Sequence, residues 1–152
     1  MNVMQQAKYV RAVSPAAILD NTGAAATVID CRDFDYCTII CQLGATDIAW
    51  AALKVQSSAT SGGTYADVTG ATFDAGTSPD GTVLALPSGT DDNQICVFQI
   101  DMRRKNPFLK VVATAGDGTV GGFIAASAIL TRAHLSPSTS ATMADGDVCR
   151  VL

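Results

Sequence analysis

Any chemistry in this chain must come from a small set of side chains. Cys31, Cys37 and Cys41 lie close enough together to suggest thiolate ligands for a metal. No CxxC pair is present, however, and Cys37 and Cys41 alternate with aliphatic residues in YCTIICQL, so buried thiols are the better reading. Five cysteines in all, including Cys96 and Cys149, make an odd number mostly embedded in apolar runs, which suits reduced thiols rather than a disulfide framework. His134 is the sole histidine and has no Ser or Cys beside it in a nucleophile motif, so it reads as an edge histidine rather than a general base. Asp91, Asp92 and Asn93 group oxygen ligands of the kind calcium takes, but the remainder of an EF-hand loop is missing and an acidic turn is favoured. No catalytic set, metal centre or cofactor site emerges, and the chain reads as a non-enzyme.

Two features offer contact chemistry instead. Arg103, Arg104 and Lys105 place three of the ten Lys and Arg residues in one turn, suited to phosphate or to an acidic protein surface. Without an aromatic stacking pattern beside it, this turn reads as a solvated tip rather than a nucleic-acid site. Trp50 falls by alternation on the polar side of its run, with Lys54 and Gln56. There it would anchor an interface or stack on a sugar; a second-layer core position stays open beside that reading. Tyr9, Tyr65 and Phe73 are further candidates for an interface.

The elements that position these residues are read from periodicity. Residues 94–102 and 108–114 are apolar runs of strand length joined by the turn at 103–107, and residues 123–130, FIAASAIL, follow after a Gly-rich break. The alternation of Cys96, Phe98, Ile100 and Met102 against Gln99 and Asp101 is that of a sheet packed on one side. Three such strands in succession would form an antiparallel meander. The Ala-rich run 123–130 also fits a short helix, but the glycines before it and the lack of a capping residue favour a strand. Upstream, residues 36–43 form a strand with Cys37, Ile39, Cys41 and Leu43 inward. Residues 26–31, 48–56, 65–68 and 82–86 complete the set, with a hairpin at 57–64. The remainder of 70–93 is expected to run over the surface.

The expected fold is therefore all-β: an antiparallel β-sandwich, with an eight-stranded jelly roll favoured over the immunoglobulin topology, whose Cys and Trp spacing is lacking. Residues 20–135 form that domain. Residues 1–19 are either an N-terminal arm or an edge strand, and 136–152 an extended tail that ends apolar in Val151 and Leu152.

Composition agrees. All 14 acidic residues are Asp, with no Glu, and Gly, Ser and Thr are abundant, which favours turns and strands over helices. A chain of 152 residues, 48% apolar and 16% charged, builds its own core, and so little charge suggests a surface partly covered by partners. The net charge of −4 argues against broad nucleic-acid binding. No run approaches the ~20 apolar residues of a membrane span, and the start lacks the pattern of a secretory signal, so synthesis in the cytoplasm is the expectation.

Three segments, DCRDFDYCTIICQLGATDIAWAALKVQSS, TDDNQICVFQIDMRRKNPFLKVVATAGDGT and GGFIAASAILTRA, resemble small virion proteins of tailed bacteriophages, in particular the β-sandwich decoration or cement proteins of capsids. The likeness spans roughly residues 29–133 and leaves out both ends of the chain. It implies a non-enzymatic protein on the capsid surface of a virion, associated as a homotrimer and bound to the major capsid protein, with neither nucleic acid nor membrane as a direct partner. A tail, baseplate or head-to-tail component is the alternative within a particle. A carbohydrate-binding sandwich using Trp50 and Tyr65 as stacking platforms is the alternative outside one. On this reading the contact residues are expected at Tyr9, Val10, Trp50, Arg103, Arg104, Lys105, Val151 and Leu152.

Overall fold

A computed structural model describes residues 6–74, 76–77, 80–134 and 143–144. The described residues form ten strands. Lys8–Val13 is β1, Ile29–Asp30 β2, Phe34–Thr46 β3, Trp50–Ser58 β4 and Ala66–Thr72 β5. The short pair Gly76–Thr77 and Val83–Leu84 gives β6 and β7, followed by Ile95–Asp101 as β8, Phe108–Ala115 as β9 and Gly122–Ala133 as β10. Two antiparallel sheets, ordered β1-β10-β3-β8 and β2-β9-β4-β5, pack as a sandwich, and β6 and β7 form a small hairpin apart from them.

Each sheet turns one face inward, as a period of two requires. Cys37, Ile39, Cys41 and Leu43 of β3, Cys96, Phe98 and Ile100 of β8, and Ile124, Ala126, Ala128 and Leu130 of β10 are buried against Leu53 and Val55 of β4 and Leu109, Val111 and Ala113 of β9. The Ala-rich run is thus a strand, central in its sheet, where its alanines sit opposite Ile39 and Cys41 of β3.

The expected meander does not form. β8 pairs with β3, β9 with β4 and β2, and β10 with β3 and β1, so each of the three consecutive strands changes sheet. The reason lies in their apolar faces: those of β8 and β9 oppose one another across the core, which two hydrogen-bonded neighbours in one sheet do not do. Within the two main sheets, β4 and β5 are the consecutive strands that pair directly, as a hairpin, among the described residues. The expected strand over 26–31 is reduced to Ile29 and Asp30, because the segment before it changes partner repeatedly. Leu19 bridges to Gly122, Gly23 to Thr114 and Ala26 to Val13, so this segment straps the two sheets together. Gly121, with φ of 93°, makes the strap possible, since a Cβ there would collide with the Leu19 carbonyl.

Two crossovers between sheets share one local structure. Asp30 at the end of β2 accepts the Arg32 amide and guanidinium, and Asp101 at the end of β8 accepts those of Arg103. Arg32 stacks on Phe108, which faces Asp30 across the β2–β9 pair; Arg103 stacks on Tyr36, which faces Asp101 across β3–β8. The residue between Asp and Arg donates its amide to the carbonyl just before the aromatic: Cys31 to Pro107 and Met102 to Asp35. A short Asp carboxylate reaches an amide two residues on, as a longer Glu does less readily, which gives the exclusive use of Asp a structural meaning.

Trp50 corrects the alternation expected for β4. The ladder with β9 shifts register between Trp50 and Ala52, so Trp50 and Leu53 both point inward and Trp50 is only 2% exposed. Its indole Nε1 is buried without a hydrogen-bond partner among the described residues. Trp50→Ala is therefore expected to cost about 3–5 kcal/mol of stability, the range for deleting a buried aromatic. Denaturant unfolding checks this, and a loss within the range of ordinary surface substitutions contradicts the core placement.

Candidate interaction surface

The outward faces of the two sheets differ in chemistry. On the sheet β2-β9-β4-β5 the outward face mixes Ala52, Val112 and Thr114 with charged residues that are held by neighbours. Lys54 Nζ lies 2.7 Å from Asp67, whose other carboxylate oxygen accepts from Gln56, and Lys110 sits over the Tyr65 ring. This is a solvated face.

The outward face of β1-β10-β3-β8 is different. Its cross-strand rows run Tyr9, Ile129, Thr38, Gln99 and Arg11, Ser127, Ile40, Val97, followed by Ala125, Gln42 and Ile95. Phe123 continues it beside Gly44. Across β10, β3 and β8 these rows contain no charged residue, and Ile95, Val97 and Phe123 are 62%, 43% and 41% exposed. Charge returns only at the rim. Asp35 there lies 3.1 Å from His134 and 3.7 Å from Arg132, and both Arg103 and Arg132 lie over the Tyr36 ring.

The sequence-derived contact residues are scattered by this arrangement. Tyr9 is half-buried on the neutral face opposite Ile129, whereas Val10, its neighbour, points into the core. Trp50 is buried and Tyr65 is capped by Lys110, so these two rings offer no shared sugar platform. Arg103 is engaged by Asp101 and Tyr36 at the rim; Arg104 and Lys105 are exposed, with no side-chain hydrogen bond or ion pair among the described residues. Val151 and Leu152 lie outside the described residues, as does most of the expected tail, although Met143 is buried and Ala144 bridges to Tyr9. The residues that sequence reasoning missed are Ile40, Ile95, Val97, Phe123 and Ile129. Their signal was the scarcity of charge on the second face of three separate strand-like runs, 36–43, 94–102 and 123–130, where Asp101 alone is charged.

The groups with chemical potential are otherwise occupied. The Cys31 thiol is held far above its ordinary range by the neighbouring Cys37 thiol and by burial; burial pushes Cys41 up to about 12 and also raises Cys96. Raised in this way, these three thiols are held in the protonated form near neutral pH. Asp92 accepts the Thr46 amide, and Asp91 accepts the Ser88 amide and the Gln94 side chain. Asp47 takes the amides of Thr119, Val120 and Gly121. Among the described residues no cluster of His, Cys, Asp or Glu is arranged to hold a metal ion, and no helix is long and apolar enough to cross a membrane.

Comparison with protein-family models, with curated proteins and with solved structures yields no match to this chain.

The aspartates set an acid limit. The Arg103 guanidinium and amide hold Asp101 at about 2, and Arg32 lowers Asp30 in the same way. Amide donors, those of Val120 and Gly121 first, lower Asp47; Lys54 and Gln56 lower Asp67, and Ser88 lowers Asp91. Depressed folded values mean stabilisation that is complete above the ordinary carboxylate value of 3.8 and is lost as pH falls toward the folded ones. The thermal midpoint is therefore expected to hold near neutrality and to drop between about pH 4 and about pH 2. A drop that is already complete above about pH 5 contradicts this assignment.

Proposed function

We propose that the chain is a non-enzymatic virion structural protein, a capsid decoration protein that docks on the outer surface formed by the major capsid protein and stabilises the shell. The observation that carries this reading is the neutral, partly aliphatic outer face of β1-β10-β3-β8, set against a charge-laced face on the opposite sheet. Exposed aliphatic and aromatic side chains gathered on one uncharged face, with charge only at its rim, are the pattern of a surface that lies against another. The strand orders β1-β10-β3-β8 and β2-β9-β4-β5 also fit an eight-stranded jelly roll with β6 and β7 as an insertion, in keeping with the virion-protein resemblance.

A decoration protein acts by linkage. It binds the assembled shell and not its separated parts, so every bound copy adds its binding free energy to the assembled state. Repeated copies on a regular lattice make modest individual contacts sufficient. No reacting group is needed, and the tied aspartates and protonated thiols of this chain fit that role.

The test is occupancy on particles of the encoding phage from which the chain has been removed. The unmodified chain is expected to co-sediment with them and to raise the temperature at which they release DNA. Ile40→Lys combined with Ile129→Lys, which puts two charges at the middle of the neutral face, is expected to weaken binding at least ~10-fold, about 1.4 kcal/mol. Gln56→Ala on the opposite face is expected to leave it unchanged. Failure of the unmodified chain to bind, or its localisation to the tail, overturns the reading.

A further inference from the structure

A sandwich of two open sheets has four edge strands, and edges that are not meant to pair are ordinarily blunted. Three of them are. β2 is only two residues long. β1 carries Lys8 and Arg11, has a register shift between Arg11 and Val13, and is flanked by Ala144. β5 is bent where its ladder shifts between Lys54 and Gln56, contains Gly70 at φ 80°, and carries Asp67. β8 has none of these devices. Its seven residues pair with β3 without a shift, it contains neither Pro nor Lys, it is uncharged until Asp101, and its Ile95 and Val97 are exposed.

The hydrogen-bond pattern shows what this edge presents. The bonds from Leu43 N to Gln94 O and from Met102 N to Asp35 O bracket the β3–β8 ladder and assign the even-numbered residues of β8 to β3. The amides and carbonyls of Ile95, Val97, Gln99 and Asp101 therefore face away from β3. Among the described residues no strand pairs with them there. They border instead a groove of about 730 Å³ between β8 and β5, with Val68, Ala71, Phe73 and Leu84 on its far side.

We propose that this edge binds β8 of a second copy of the chain, antiparallel about a twofold axis at Phe98, joining the two β1-β10-β3-β8 sheets into one. In that register Val97 of each copy lies opposite Gln99 of the other, and the outward amides and carbonyls of both strands are satisfied. The charges flanking β8 select this occupant and orientation. Asp91 and Asp92 precede the strand, and the exposed Arg104 and Lys105 follow it. Antiparallel pairing brings the acidic end of each copy to the basic end of the other at both ends of the seam, whereas parallel pairing sets like charge against like. Exposed charges of this kind fix orientation and register more than they add affinity. The joined sheet doubles the neutral outer face, in place of the threefold association that the resemblance implies, and the pairing stands whatever that face binds.

The experiment is native mass measurement of the full chain with residue-resolved amide exchange over a dilution series. The expected species is twice the 15.6 kDa chain mass. The Val97 and Gln99 amides are expected to lose protection on dilution, while Cys96 and Phe98, bonded to β3, keep theirs. Val97→Pro removes an amide that bonds only across the seam and is expected to give a monomer with an unchanged circular dichroism spectrum. If that variant fails to fold, the exchange result on the unmodified chain decides. A monomer or trimer for the unmodified chain, a dimer that survives Val97→Pro, or exchange at Val97 and Gln99 indifferent to concentration overturns the proposal.

Discussion

The architecture depends on the chain leaving one sheet and entering the other at a defined angle, and two Asp-x-Arg corners enforce that turn. At each, a carboxylate closes on its own following amide and holds a guanidinium flat against the aromatic ring of the adjacent strand. The corners are exposed, so the ion pairs add little free energy as pairs. Their effect is directional. They fix where β3 and β9 begin, and hence which side chains of β3, β8 and β9 meet in the core. The equivalence extends to the neighbouring strands: Asp30 faces Phe108 as Asp101 faces Tyr36, and the amides of Cys31 and Met102 are spent alike. The two corners are thus related by exchange of the β2–β9 and β8–β3 pairs, a local duplication within a chain whose sequence has no repeat of fixed period.

Once the crossovers are fixed, the two outer faces become free to differ. One has charged residues held by neighbours, as Asp67 is by Lys54 and Gln56. The other gathers Ile40, Ile95, Val97, Phe123 and Ile129 from three strands that are distant in sequence and adjacent only because β3 lies between β10 and β8. Tyr36 joins the two levels of organisation. It is the ring against which Arg103 closes its corner, and it also stands at the charged rim of the neutral face.

Much of this was legible in the sequence. The inward alternation of Cys37, Ile39, Cys41 and Leu43 and of Cys96, Phe98, Ile100 and Met102 is found as read, because unbroken ladders keep a strict period of two. The all-β class followed from the same patterns and from the preference for Asp, Gly and Thr. Trp50 was not legible, since one bulged residue reverses parity and nothing local in WAALK announces it. Pairing was not legible either. Residues 94–130 read as three neighbouring strands, and only the opposition of their apolar faces across a core shows why they alternate between sheets. The neutral outer face was visible in principle as a scarcity of charge on the second side of three runs, with Asp101 the one exception. The basic turn stands out more strongly in the sequence, yet Arg103, its first member, is engaged in holding a corner.

The central claim is that one sheet face makes contacts while the other faces water. Hydroxyl-radical footprinting of the chain, free in solution and on the virion proposed to carry it, addresses it directly. Ile40, Phe123 and Ile129 are expected to lose reactivity on the particle, while Lys54, Gln56 and Lys110 keep theirs. Protection of the Lys54 face, with the Ile40 face as reactive as in the free chain, contradicts the account.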